Sequence, residues 1–211
     1  MQRDLRDLTA NAFEYPINEI FHSIQGEGHF TGTPATFIRL QGCDVGCSWC
    51  DTKHSWDFDK GRRGMMSVLR LVEAVPKGVR HVVITGGEPC AFDLMPLTDA
   101  LLRKDYVVQV ETSGTYVPHI HANTWLTVSP KIGMRREVLP EALRRADEIK
   151  MPVGKPRDLE HLATLLPRVN TKLVSLQPLS LSKTATRMCV EVALVKGYRV
   201  SPQVHKLIDV E

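Results

Sequence analysis

Cys43, Cys47 and Cys50 stand in a C-x3-C-x2-C spacing on a stretch that also carries Gly42 and Gly46. Thiolates are soft ligands, and three on one loop can hold three irons of a [4Fe-4S] cluster. The fourth ligand is missing, which leaves one iron open to a small molecule. The two glycines permit the tight loop that such wrapping requires. Trp49, between the second and third cysteines, is placed to cover the cluster or stack on a ring. A zinc site competes with this reading, since His54 would complete four ligands with the three cysteines. Cys90 and Cys189 stand apart, and Cys189 falls in a helical pattern that reads as packing.

Such a loop needs a scaffold, and the chain supplies an alternating one. Short β-rich runs at residues 36–40, 81–85, 106–110, 125–128, 149–153, 172–176 and 198–204 alternate with helical periodicity. Ser67 is a natural cap for a helix whose apolar face is Val68, Leu71, Val72 and Val75. Further helices are expected around residues 94–102, 139–146, 159–166 and 185–196. Strand–helix alternation implies a parallel sheet with crossover helices. Six or seven strands are fewer than a closed eight-stranded barrel needs. The expected fold is therefore α/β, a partial and open β/α barrel with mostly parallel strands and a reduced helix set. No repeat or linker divides it: residues 1–14 read as an N-terminal extension and residues 15–211 as one domain.

Composition narrows the setting. The chain has 211 residues, 43% hydrophobic and 24% charged, the balance of a soluble globular protein. Lys plus Arg number 27 against 24 Asp plus Glu, a net +3. That does not describe a dedicated nucleic-acid binder. Five cysteines, three of them clustered, argue against a secreted disulfide framework. The N-terminal residues lack the apolar core of a signal peptide, and no apolar run is long enough to cross a bilayer. A cytoplasmic location is expected. Arg62–Arg63, Arg135–Arg136 and Arg144–Arg145 read as solvated faces, Met65–Met66 as packing, and the pair His119 and His121 lacks companions for a metal.

The cysteine loop after a first strand, with Gly86, Gly87, Glu88 and Pro89 (GGEP) after the next, resembles the radical S-adenosylmethionine (SAM) superfamily. Two glycines let a backbone approach a ligand closely, and carbonyls there can accept from an ammonium group. Within the superfamily the chain is similar to the 7-carboxy-7-deazaguanine synthases. That similarity is carried by INEIF (17–21), IQGEG (24–28), FIRLQG (37–42), CDTKH (50–54), ETSG (111–114), SPK (129–131), QP (177–178) and HK (205–206). It covers nearly the whole chain from Tyr15 onward.

The resemblance implies a reaction. An electron from a reduced [4Fe-4S] cluster cleaves SAM to a 5′-deoxyadenosyl radical, which removes hydrogen from C6 of 6-carboxy-5,6,7,8-tetrahydropterin. The ring contracts with loss of ammonia to 7-carboxy-7-deazaguanine, a precursor of queuosine in tRNA, and SAM is regenerated. It also implies Mg²⁺, an electron donor such as flavodoxin, a homodimer, and no direct nucleic-acid or membrane partner. Carried over residue by residue, Cys43, Cys47 and Cys50 hold the cluster and Thr52 binds Mg²⁺. Trp49, Gly87, Ser129, Pro130, Lys131, Gln177 and Pro178 face SAM, with Gly86 and Glu88 shaping the turn. Ile24, Gln25, Gly26, Arg39, Thr85 and Glu211 face the substrate, Arg39 pairing with its carboxylate through the guanidinium fork. Glu27 and Glu111 would read the 2-amino or ring N–H groups.

The chain departs from the family near its end, where Val204 and Leu207 replace a hydroxyl and a phenol. Two rivals are a radical-SAM activase that installs a glycyl radical on a polypeptide, and a zinc-binding adaptor built on the three cysteines and His54. The first would need an exposed groove, the second a convergent four-ligand site.

Overall fold

The computed structural model describes residues 13–58 and 62–210, so Glu211 and most of the 1–14 extension lie outside the described residues. Nine strands form one sheet: β1 (Glu14–Ile24), β2 (Pro34–Leu40), β3 (Met65–Ser67), β4 (His81–Gly86), β5 (Val107–Thr112), β6 (Trp125–Val128), β7 (Glu148–Val153), β8 (Val174–Pro178) and β9 (Arg199–Val200). The order is β3-β1-β2-β4-β5-β6-β7-β8-β9, in which β1 pairs antiparallel with β2 and β3. Every pairing from β2 to β9 is parallel. The ends do not pair with each other, so the sheet is open. This is the expected mostly parallel, unclosed α/β architecture.

The helices are α1 (Val68–Glu73), α2 (Met95–Leu102), α3 (Pro140–Arg145), α4 (Pro156–Leu165), α5 (Lys183–Lys196) and α6 (Val204–Leu207). Ser67 caps α1, its side chain accepting from the Arg70 amide, and Leu71 of the expected apolar face is fully buried. The core lies between α1–α5 and one face of the sheet, with Ile38, Leu40, Val82, Ile84, Val108, Val110, Leu126, Ile149 and Leu176. Cys189 is buried in it, as packing.

Alternation along the strands sends the intervening residues to the other face. Gln109, Thr127, Glu148, Lys150, Ser175 and Gln177 are polar, yet all are buried. The IQGEG segment explains this, because it runs over the concave face after β1 and plugs it. The Gly28 amide donates to Ser201 Oγ at 2.7 Å, and the His29 amide to Glu148 Oε2 at 3.1 Å. Gly28 takes φ +68°, and a Cβ there would stand 2.7 Å from Glu148 Oε2.

Four elements differ from the sequence expectation, and one is β3, where Met65 and Met66 pair with Pro16 and Tyr15 as a short edge strand. The eleven-residue β1 is not evident as a strand in the sequence, because EYPINEIFHSI mixes polar and apolar residues without a clean alternation. The last strand is only Arg199–Val200, since Pro202 cannot donate to a ladder and the chain then turns into α6. The strand expected at 172–176 lies at Val174–Pro178.

Candidate functional site

The carboxyl ends of the parallel strands open into a cavity of about 360 Å³, a small-molecule size rather than a groove for a polypeptide. Cys43, Cys47 and Cys50 line one wall, with Trp49 and Thr52. Ile24, Gln25 and Gly26 line it from the IQGEG segment, Arg39 from β2, Thr85 from the end of β4 and Gly87 from the turn after it. Ser129 and Lys131 enter after β6 and Gln177 from β8. Pro130 lies instead in an adjoining cavity of about 480 Å³, which shares Trp49, Pro152 and Leu179 with the first. Pro178 lines neither cavity; it closes β8 opposite Val153.

The cysteine loop is laced to its neighbours by backbone contacts. The Gly42 amide donates to Ser55 O at 2.8 Å, the Cys43 amide to Trp56 O at 2.9 Å, and the Glu88 amide to Gly42 O at 2.8 Å. Gly42 and Gly46 have φ of +110° and +73°, a region that favours glycine. Burial pushes the thiols up, Cys47 to about 11 despite the nearby Lys131 ammonium, and Cys43 in the same direction. Burial thus favours the protonated thiol at Cys43 and Cys47, and binding of a metal there would release those protons. The Thr52 amide donates to Cys50 Sγ at 3.4 Å, which places its hydroxyl beside the third cysteine.

His54 does not complete a tetrahedral set: its Nε2 lies 3.7 Å from Glu19 Oε1. Among the described residues no three His, Cys, Asp or Glu side chains converge on a single ion. A cubane fits three thiols better, because its irons are spread over several ångströms and its ligands need not converge on one point.

GGEP is fixed by a carboxylate. Glu88 is 1% exposed and accepts from the Cys90 amide, the Thr112 hydroxyl, and the amide and hydroxyl of Ser113. This ties the turn after β4 to ETSG at the end of β5, so the two motifs form one structure. Lys131 donates to Ser129 Oγ at 3.0 Å, and its ammonium lies 5.0 Å from the centre of the Trp49 ring. Burial lowers the pKa of Lys131.

Arg39 faces the cavity from β2, but not with a free fork. Its Nε donates to Glu19 Oε1 at 2.6 Å, and the guanidinium lies 5.5 Å from the centre of the Phe21 ring. Its terminal nitrogens remain for a ligand.

Several cavity residues escaped the sequence reading. Lys150 of β7 donates to Glu27 Oε2 at 2.7 Å and to Glu111 Oε2 at 2.8 Å. Gln177 and Gln203 donate to Glu27 Oε1 at 2.9 and 2.8 Å. Burial alone would raise Glu27, yet Lys150 and the hydrogen bonds outweigh it and hold the carboxyl at about 2. Glu111, with Glu27 and Glu148 nearby, is pushed by burial to about 7 despite Lys150. His205 packs against Gly26, and Lys206 donates to Asp51 Oδ2 at 2.7 Å, clasping α6 onto CDTKH. Co-occurrence of IQGEG, CDTKH and the terminal HK was the available signal, but their contacts are not local.

A model of the radical SAM superfamily matches residues 37–145. A 7-carboxy-7-deazaguanine synthase of Escherichia coli (strain K12) is 47% identical, with 93% of this chain and 99% of the relative covered. Its namesake from Aquifex aeolicus (strain VF5) is 36% identical over 92% and 94%. The crystal structure of QueE from Escherichia coli superposes with a TM-score of 0.87 at 46% identity, covering 94% of this chain and 98% of that one.

Proposed function

We propose, for a chain that belongs to the 7-carboxy-7-deazaguanine synthase family of the radical SAM superfamily, that it contracts the ring of 6-carboxy-5,6,7,8-tetrahydropterin to 7-carboxy-7-deazaguanine. Ammonia leaves, so the enzyme is a carbon–nitrogen lyase, working in the cytoplasm on the route to queuosine. One observation carries this reading: a wall of three thiols faces a floor of amide and carboxylate groups across one small cavity.

When bound, the [4Fe-4S] cluster and SAM supply the electron and the hydrogen-atom chemistry. The chain's own part is to hold, orient and exclude water. Cys43, Cys47 and Cys50 would hold the cluster through their sulfurs. Ser129 and Lys131 stand where they can meet the ribose or the methionine carboxylate, and the Gly87 backbone comes close to the same ligand. Trp49 and Pro130 border the second cavity, which suits the flat adenine. Gln177 extends from β8, and Pro178 supports SAM only indirectly, by ending that strand.

Ile24, Gln25, Gly26 and Thr85 embrace the pterin, and the terminal guanidinium edge of Arg39 meets its carboxylate. Glu211 would add a contact from the chain end. Thr52 would offer one oxygen to Mg²⁺, a hard cation suited to oxygen ligands. A reduced flavodoxin-type donor and a homodimeric assembly belong to the same proposal.

Anaerobic reconstitution followed by turnover with SAM, reductant, Mg²⁺ and the carboxytetrahydropterin tests the reading. Deazaguanine should form without stoichiometric consumption of SAM. SAM cleavage without product would reject the substrate. Thr52→Ala should retain full iron content while needing about tenfold more Mg²⁺ for half-maximal rate, a loss of about 1.4 kcal/mol. An unchanged Mg²⁺ response would remove Thr52 from the metal site.

A further inference from the structure

Lys150 is joined to carboxylates from two distant parts of the chain. Its side chain is 5% exposed, against 16% for Glu27 and 13% for Glu111. The carboxylates are fixed at their other oxygens too: Glu27 by Gln177 and Gln203, Glu111 by Gln109 at 2.8 Å and Gln25 at 3.4 Å. Five segments of the fold thus meet at one cation. With both carboxylates ionised the cluster carries one net negative charge at the cavity floor. Buried charge of that kind is stabilised by a partner with donors to offer. A heterocyclic edge bearing an amino group and ring N–H groups has that chemistry.

We propose that Lys150 is a positioning residue that holds Glu27 and Glu111 as a fixed pair of acceptors for the amino and N–H edge of the bound heterocycle. It acts through the two carboxylates and does not touch the reacting atoms. The inference rests on the function proposed above, whose substrate and product both carry such an edge. Without the ammonium, two carboxylates would face each other in a site of low polarity, and one would hold a proton and lose its acceptor character. The other charged groups around the cluster are Glu148, Lys131, His205 and the Asp51–Lys206 pair.

Lys150→Met, Lys150→Arg, Glu111→Gln and the Lys150→Met/Glu111→Gln double variant test it in the reconstituted enzyme. KM and kcat are read for the carboxytetrahydropterin, and affinity for 7-carboxy-7-deazaguanine by calorimetry. Lys150→Met should raise KM at least tenfold with kcat within threefold, and move the acidic limb of kcat/KM to higher pH. That direction follows because carboxylates without their cation ionise later. Lys150→Arg keeps the charge and should retain more affinity than Lys150→Met. Adding Glu111→Gln to Lys150→Met should restore part of the loss, since the carboxylate repulsion is gone. Additive losses would mean that Lys150 contacts the ligand by itself, and an unchanged KM at full iron content would mean that it positions nothing; either overturns the proposal. A native chain that forms no product would reject the synthase reading instead, and the calorimetric comparison would still decide on Lys150.

Discussion

A Cys47→Ala chain, reconstituted with iron and sulfide, should lose its cluster and form no product, while its metal-free melting temperature stays within a few degrees of the native value. In the proposed site three sulfurs supply the protein's ligands to the cluster, and among the described residues no fourth cysteine lines the cavity to replace one. Cys90 is buried elsewhere and lines neither cavity, and the His54 ring lies beside Glu19. Removing one sulfur costs the apo fold little, because the loop is shaped by its backbone. The Cys50 amide donates to Cys47 O at 3.0 Å, and Gly46 makes the bend. Iron and acid-labile sulfide content, the visible absorbance of the cluster and the rate of deazaguanine formation provide the measurements. Native-like iron content in the variant would mean that Cys47 is not a ligand of the cluster.

Gly87→Ala should unfold the site from the opposite side. A Cβ at this position would lie 2.2 Å from Gly42 O and 2.7 Å from Ser55 O, both backbone atoms that cannot rotate away. The cause is steric, because only Gly86 of the pair has a left-handed-type φ, at +141°. The methyl group would drive the turn after β4 away from the peptide that leads into Cys43. It would thereby break the Glu88 amide to Gly42 O contact that joins the two motifs. Overpacking against fixed backbone belongs among the severe substitutions, about 3 kcal/mol or more. Gly32→Ala is the comparison: its φ is +88° with nothing within 4 Å, so it should cost only about 1 kcal/mol of conformational strain. Denaturant unfolding of both metal-free variants, with iron retention after desalting, separates the two effects. Equal losses in both would refute the steric account.

Much of the scaffold was legible because its signals are local. The run HVVIT announces β4, Ser67 and the three-and-four spacing of Val68, Leu71 and Val72 announce α1, and the glycines around the cysteines announce a loop. The strand β1 was not legible. Its residues serve two partners and a cavity at once: Ile17 is in the core, Glu19 holds Arg39, and Phe21 stacks on Phe37 at 4.8 Å. A strand with such divided duties does not alternate cleanly. Arg39 shows a subtler limit. Its place on β2 beside the cluster loop could be read, but Glu19 at 2.6 Å could not, because the pairing of β1 with β2 brings it there.

By itself, the sequence determined the thiol loop, the GGEP turn, the alternation that builds an open parallel sheet, and the family these belong to. Those features depend on neighbours a few residues apart. The cavity floor was decided only by tertiary structure. Residues 27, 111 and 150 lie on separate elements; the resemblance pointed to Glu27 and Glu111 as substrate contacts, but Lys150 reads in the sequence as an ordinary strand charge, and nothing local joins the three. Parallel pairing and the IQGEG plug turn them inward. Burial in a site of low polarity then converts three ordinary charges into one coupled cluster, because exposed charges are screened by water and these are not.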